Sequence, residues 1–277
     1  MNRKISRGGK IIIYVVLLLV AFVMVVPFAW MILTAFKTQT ESTQMNPFLI
    51  FPTAFRTEAF VQAWEELNFG RLYLNTFTMI FIRIITCVVT SDMAGYAFAR
   101  LKFKGSKFAF GLVLFQMMVP EQIFVIPQYL MLSKIHALNT IFSLCFPGLV
   151  SAFGVFLMRQ AYMNMPRDLE DAARLDGCNI GQTFLFVMSP LTKSSKIALC
   201  IFTALFGYKE LLWPMIANTD NNMTTLAAAL AKINGQHLTR YPELMAASCI
   251  ACLPMILLYL VFQKQFIEGV ANSGSKM

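Results

Sequence analysis

The feature that most constrains this chain is the run Ile11 to Ala35, 25 residues without one charged side chain. About 20 such residues in a helix cross the hydrocarbon core of a bilayer. Comparable runs return at about Leu72–Ala99, Phe108–Met131, Asn139–Met158, Ile197–Ala217 and Leu244–Phe262. The spacing predicts six spans. The first run is too long for a signal-peptide core, lacks a small-residue cleavage site and ends in bulky Trp30 and Phe36, so it reads as an uncleaved helix. Pro120 and Pro127 fall inside the third run, which is expected to kink or break there. Composition points the same way: 57% of the 277 residues are hydrophobic and 13% are charged. A soluble fold would lack the charge to cover its surface, and a disordered chain would lack this hydrophobicity. The expected class is an all-α, polytopic membrane protein.

A net charge of +9 would suggest nucleic acid in a soluble protein, but the positions of the charges argue otherwise. Fifteen Lys and Arg lie on the side of the N-terminus: Arg3, Lys4, Arg7, Lys10; Arg100, Lys102, Lys104, Lys107; Arg159, Arg167, Arg174, Lys193, Lys196; Lys264 and Lys276. Six lie on the other: Lys37, Arg56, Arg71, Lys134, Lys232 and Arg240. That asymmetry predicts both termini in the cytoplasm and needs no nucleic acid. None of the six cysteines falls in an outer loop, so structural disulfides are not expected. Cys249 and Cys252 have redox-like spacing, but inside an apolar helix they read as small packing residues. Ser91, Gly95 and Ala99, four residues apart, form a stripe that permits close helix approach.

The segment Arg159 to Lys196 is much longer than a bare connection needs. Asn164 can cap a helix and Pro166 suits its first turn. Asp168, Glu170 and Asp171 sit where the helix dipole favours anions, and Gly177 is a natural stop. A second helix is expected from Asn179, with Gln182 as its capping-box partner, an apolar stripe of Ile180, Phe184 and Val187, and a limit at Pro190. Ala172 and Ala173 offer a flat surface with carboxylates beside it. Such an element suits rigid docking of another protein better than lying on anionic lipid headgroups.

Asp171-Ala172-Ala173, followed by Gly177 and Pro190, resembles the EAA motif of binding-protein-dependent ABC importer permeases. That motif reads Glu-Ala-Ala, three residues, Gly, nine residues, Ile-x-Leu-Pro. Asp171 stands for the Glu, and Val187-Met188-Ser189-Pro190 for the last element. Ala94-Gly95-Tyr96-Ala97-Phe98-Ala99-Arg100, Ile126-Pro127-Gln128-Tyr129-Leu130 through Leu138-Asn139-Thr140, Thr225-Leu226 through Ala246-Ala247-Ser248, and Gln263 to Gly269 are similar to the sugar-importer branch, of maltose-permease inner-subunit type. Tyr208-Lys209-Glu210 replaces its usual Trp-Asn-Glu.

The resemblance implies the type I ABC importer permease fold. It implies a permease domain over 11–277, after a cytoplasmic N-terminus at 1–10 and including the coupling loop 159–196. It also implies a second homologous permease, a pair of cytoplasmic ATPases, an extracytoplasmic sugar-binding protein, and residence in a bacterial or archaeal cell membrane with lipid around it. Glu170, Asp171, Ala172, Ala173, Asp176 and Gly177 would couple the chain to the ATPase. No cofactor is expected in this chain. Gly9-Lys10 lacks the glycine and hydroxyl residue of a P-loop, so ATP and Mg would be bound by the ATPase.

Charges inside a membrane usually face partners, water or substrate. Arg83, Gln116, Glu121, Gln122 and Glu210 are candidates for a polar route serving sugar hydroxyls. The alternative for each is ion pairing between helices, including those of a second permease. Asp92 and Lys209 also fall in spans, and Asn75 and Asn218 read as helix ends. His136 and His237 read as surface residues. The outer loop with Trp64, Glu65 and Glu66 would contact the binding protein or pack on the outer surface. An ion-coupled carrier is the competing function, and a membrane enzyme lacks an H-E-x-x-H or comparable set. Gly177→Pro or Ala173→Trp is expected to stop transport while leaving the protein in the membrane, read by uptake together with membrane immunoblotting. Normal uptake at normal levels would remove the docking role.

Overall fold

The computed structural model describes residues 7–45, 47–236 and 240–274. Arg3, Lys4, His237 and Lys276 lie outside the described residues. Secondary structure among the described residues is helical, apart from one isolated bridge between Met45 and Phe48. In chain order the α-helices are α1 (Arg7–Ala35), α2 (Gln39–Thr43), α3 (Glu58–Leu67), α4 (Phe69–Arg100), α5 (Ser106–Met118), α6 (Val125–Lys134), α7 (Ile141–Cys145), α8 (Ala152–Met163), α9 (Asp168–Leu175), α10 (Ile180–Gln182), α11 (Ser189–Leu191), α12 (Lys193–Lys209), α13 (Leu212–Ala217), α14 (Leu226–Gln236) and α15 (Tyr241–Gly274). They group into two compact units, Met1–Phe69 with Leu230–Pro254, and Gly70–Ala229 with Met255–Met277.

In the first unit, α1 buries none of its most apolar stretch inside the chain. Its side chains are apolar on every side, as a lipid-immersed helix requires. Near its C-terminal end, Trp30 stacks on Phe48 at 5.5 Å, and the Lys37 ammonium sits 4.4 Å from the Trp30 ring while donating to the Leu49 carbonyl at 2.6 Å. A Thr38–Glu41 capping box starts α2. The Thr53 hydroxyl and the Thr38 N–H, both donating to Glu41, hold its carboxyl below the usual range. Arg240 pairs with Glu66 at 2.5 Å.

In the second unit, α4 is the axis. Lipid is as apolar as a leucine side chain, so helices in a membrane gain little from apolar burial alone and associate through close packing and hydrogen bonds. The predicted small-residue stripe supplies the packing. A Cβ on Gly95 would lie 2.6 Å from the Met158 Cβ and 2.8 Å from the Arg159 N, and one on Gly154 would overlap the Ser91 hydroxyl. Cys87, Tyr96, Met158, Tyr162, Met188 and Leu199 close around that approach as one buried cluster. At the other end of α4, Asn75 donates to the carbonyls of Asn222 and Thr224 at 2.9 and 3.0 Å. Asn75 is therefore a buried cross-link and not a helix end, whereas Asn218 is both the C-cap of α13 and fully buried.

Among the described residues, three helices are long and apolar enough to cross a membrane unaided: Gly8–Ala35, Phe69–Arg100 and Tyr241–Lys264. Three bent pairs bring the number to six when each counts once. Two fall on the expected third and fourth spans, and the last joins Ile180–Leu191 to Lys193–Lys209 at 74°, so it reaches back into the long loop and overlaps the expected Ile197–Ala217 only in part. The run around Phe108–Met131 is two helical segments, Ser106–Met118 and Glu121–Lys134, at 100°. The break falls at Pro120, while Pro127 sits in the first turn of α6, where its missing N–H costs nothing. Asn139–Met158 becomes Ile141–Gly148 and Ala152–Met163, bent by 47° after Pro147-Gly148. Ile197–Ala217 is also interrupted. α12 starts earlier, at Lys193, and ends at Lys209; Glu210 is extended, and α13 resumes at Leu212. In an unbroken helix Pro214 would have to donate to the Glu210 carbonyl, and it has no N–H. The six cysteines are free thiols, with Cys87 and Cys145 buried.

The glycine contact sets a test. Gly95→Val forces a branched side chain against the α8 backbone, and overpacking of this kind costs about 1–3 kcal/mol. A lowered thermal midpoint of the purified protein in detergent is expected, with Gly111→Val, which meets open space, as the control.

Candidate functional site

The break at Pro147-Gly148 has a polar consequence. Leu144 and Cys145 end the α7 turn, so their carbonyls lack the helical donors they would otherwise have. The Arg83 guanidinium takes both. Nη2 donates to the Leu144 carbonyl and Nε to that of Cys145 at 3.3 Å, while Nη1 pairs with the Glu210 carboxylate. The arginine side chain is 6% exposed and the glutamate 23%. Gly148 is what admits the arginine, since a Cβ there would sit 2.6 Å from the Arg83 Cδ. Glu210 reaches the pair because the interruption after Lys209 turns its residue out of the helix.

This ion pair forms part of the wall of a cavity of about 630 Å³. Gln116, Glu121 and Gln122, from the end of α5 and the turn after Pro120, line it as well. All five residues proposed for a polar route therefore surround one space, brought together by the three helix breaks. Lys209, Ser151, Phe202 and Phe206 join the lining, with the buried Trp213 beside them. The Lys209 ammonium rests 4.7 Å from the Phe206 ring, and the Trp213 N–H donates to the Ser143 carbonyl at 2.7 Å. The wall thus offers charged groups, amides, a hydroxyl and an aromatic face, a set that suits a polar ligand with hydroxyl groups.

The long loop holds the second candidate site. α9 begins after Arg167, and Asn164 caps the end of α8 instead of starting α9. The helix ends as expected: Gly177 has φ +85°, its N–H donates to the Arg174 carbonyl, and the Cys178 N–H donates to Ala173. That pair of bonds is a Schellman stop. Asn179 and Gln182 form the expected capping box. From Thr183 to Met188 the helix takes π spacing, which changes the predicted stripe. Phe184 and Val187 pack on the buried cluster with Met188, while Ile180 points outward and is 58% exposed.

The residues expected to couple the chain to an ATPase divide between two faces of α9. Glu170 and Ala173, three apart, face inward and are buried. Glu170 lies 3.6 Å from the Arg100 guanidinium, which also donates to the Met165 carbonyl at 2.7 Å. Asp171, Ala172 and Asp176 face outward beside a bare Leu175. The flat surface therefore consists of Ala172 and Leu175, not Ala172 and Ala173. A tryptophan at 173 would disturb this chain's own packing, so Ala172→Trp is the cleaner probe of docking.

A third polar cluster was not singled out from the sequence as a site. Asp92, 6% exposed, accepts from the Tyr162 hydroxyl at 2.6 Å and the Ser189 hydroxyl at 2.7 Å, and lies 3.5 Å from the Lys196 ammonium. Its signal in the sequence is a carboxylate on an apolar helix, followed at the same face by Tyr96 and Arg100. His136 is an exposed surface residue with φ +54°, and among the described residues no group of His, Cys, Asp and Glu could hold a metal.

Comparison with known proteins agrees with this architecture. Residues 93–271 match the family described as binding-protein-dependent transport system inner membrane component. The chain is 31% identical over 278 residues to the arabinooligosaccharides transport system permease protein AraQ of Halalkalibacterium halodurans, covering 100% of both chains. It is 27% identical to the lactose transport system permease protein LacG of Rhizobium radiobacter, over 96% of this chain and 97% of that one. Its fold is similar, with a TM-score of 0.82 and 21% identity, to a chain of a bacterial ABC transporter involved in the import of the acidic polysaccharide alginate, covering 95% of this chain and 99% of that chain. The chain belongs to the family of binding-protein-dependent transport system inner membrane components. It is a multi-pass membrane permease subunit of an importer, and neither an ion-coupled carrier nor an enzyme.

Removing one member of a buried pair strands the other charge, which costs about 3–5 kcal/mol. Glu210→Ala is therefore expected to lower the thermal midpoint in detergent far more than Glu121→Ala does. The double variant Arg83→Met, Glu210→Leu is expected to recover part of the loss. Equal midpoints for the two single variants would show the pair to be idle.

Proposed function

We propose that this chain carries an oligosaccharide or related sugar across the membrane as one half of a pathway, the other half being a second homologous permease. The observation that carries the reading is the cavity where Arg83, Gln116, Glu121, Gln122 and Glu210 converge. The names of the relatives AraQ and LacG support a carbohydrate as cargo. An extracytoplasmic binding protein delivers the sugar, and lipid surrounds the bundle. ATP and Mg bind to a pair of ATPases and not to this chain. The Lys and Arg asymmetry supports cytoplasmic termini in a bacterial or archaeal cell membrane.

On this reading the outward face of α9, with Asp171, Ala172, Leu175 and Asp176, enters a cleft of the ATPase. The inward face, with Glu170 and Ala173, fixes α9 to the rest of the bundle, and the Gly177 turn sets its exit. Closure of the ATPases on ATP moves this element and opens the route outward. The exposed Asp171–Arg174 pair at 3.8 Å contributes little by itself, as surface pairs do, so both groups remain available to a partner.

The test uses cells that depend on this gene for uptake of labelled oligosaccharides. Ala172→Trp and Asp171→Lys are each expected to reduce ATP-dependent uptake, and co-purification of the ATPase through a tag on this chain, by roughly tenfold or more, the scale of a disrupted hot spot. Membrane levels should stay normal. Unchanged co-purification and uptake would remove the docking role, and uptake that survived ATP depletion but fell with the ion gradient would overturn the function.

A further inference from the structure

Docking alone moves nothing. A loop that is pushed must be joined to the helices that line the route, and the joint must survive the push. α4 carries polar side chains at Asp92, Tyr96 and Arg100, four residues apart on one face, and all three point at the long loop and its neighbours. Arg100 holds Glu170 and the Met165 carbonyl. Tyr96 meets the Tyr162 and Phe184 rings at 5.3 and 5.1 Å.

Asp92 ties the strongest knot of the three. One carboxylate oxygen accepts from Tyr162 of α8; the other accepts from Ser189, where the π segment ends, and faces Lys196 in the first turn of α12. The Lys196 ammonium also donates to the Ser189 hydroxyl at 2.8 Å. Three helices and the end of the loop therefore meet on one buried carboxylate, in surroundings where its bonds are strong and a lost partner is costly. Nine residues nearer the N-terminus on the same continuous helix, about 13 Å along its axis, stands Arg83 with its grip on Glu210 and the α7 carbonyls.

We propose that Asp92 is a positioning residue for energy coupling, the joint through which displacement of the loop turns α4 as a rigid rod and so moves Arg83 at the cavity wall. This rests on the reading of α9 as the ATPase-docking element. Asp92 touches neither cargo nor ATPase in it. The joint has a charged part, Asp92 with Lys196, and a hydroxyl part, Tyr162 and Ser189. Loss of the joint leaves the ATPase bound and turning over while the route follows it less faithfully.

The experiment takes the whole transporter, purified through a tag on this chain and reconstituted in liposomes. It measures sugar imported per ATP hydrolysed in the presence of the binding protein. Asp92→Asn and Lys196→Gln are each expected to lower that ratio by roughly two- to thirtyfold, the range for residues along a coupling network. The ATPase should remain attached and its hydrolysis should stay near the wild-type rate. The two together are expected to do little more damage than either alone, because they remove the same pair.

A merely structural role would lower import and hydrolysis in step and leave the ratio unchanged; that result, or a wild-type ratio, would overturn the proposal. If Asp92→Asn fails to reach the membrane, Ser189→Ala decides by the same ratio, since it removes the loop's hydroxyl bonds to the carboxylate and to Lys196 while leaving the charged pair in place. Failure of the docking reading itself has a different signature: Ala172→Trp would then leave both ATPase co-purification and uptake intact.

Discussion

A guanidinium in the low-dielectric interior of a helical bundle must find compensation nearby, or the chain does not close around it. Arg83 finds it in a carboxylate and two carbonyls, and each requires a helix to stop. α7 must end at Cys145 to leave its carbonyls open, and α12 must end at Lys209 so that Glu210 can turn inward. Pro147-Gly148 and Pro214 supply the stops, and Gly148 supplies the room. The polar cavity follows from this constraint, because the segments that break to satisfy Arg83 are among those that present polar groups to the space beside it.

The remainder of the second unit is arranged along α4. Its glycine-bearing stripe brings α8 close enough for backbone contact. Its polar face takes up the loop, and its far end is fastened by Asn75. Close approach and buried hydrogen bonds carry the association because apolar contact gives little advantage over lipid. Two continuous helices, α4 and α12, therefore run between the loop and the cavity wall.

Much of this was legible in the residues. The unbroken apolar runs place α1 and α4 to within a few residues of their ends and the start of α15, which continues past the expected limit at Phe262 to Gly274. Gly177 and the Asn179–Gln182 box are local signals whose meaning does not depend on the rest of the fold, and both were readable. The five polar residues of the cavity were readable as misfits in apolar segments. The faces of α9 were not: Glu170 and Ala173 turn inward because Arg100 and the segment Thr183–Met188 lie there, and that is tertiary information. Asn164 fits a helix start as well as a helix end, and only the extension of α8 to Met163 decides between them. The π segment carries no signature in its six residues, and it displaced the expected position of Ile180.

That segment has a mechanical consequence. Between Thr183 and Met188 the chain holds one more residue per turn's worth of hydrogen bonding than an ordinary helix, and such a turn is wider and more weakly bonded. It sits between the stiff, glycine-closed α9 and the anchorage at Ser189. Relaxing it to α spacing would rotate whatever lies beyond by about 100° per residue shifted. On the docking proposed for α9, a wider coil thus lies between the segment a partner would grip and the one moored at Ser189, and give in that coil would let the first travel before the second follows.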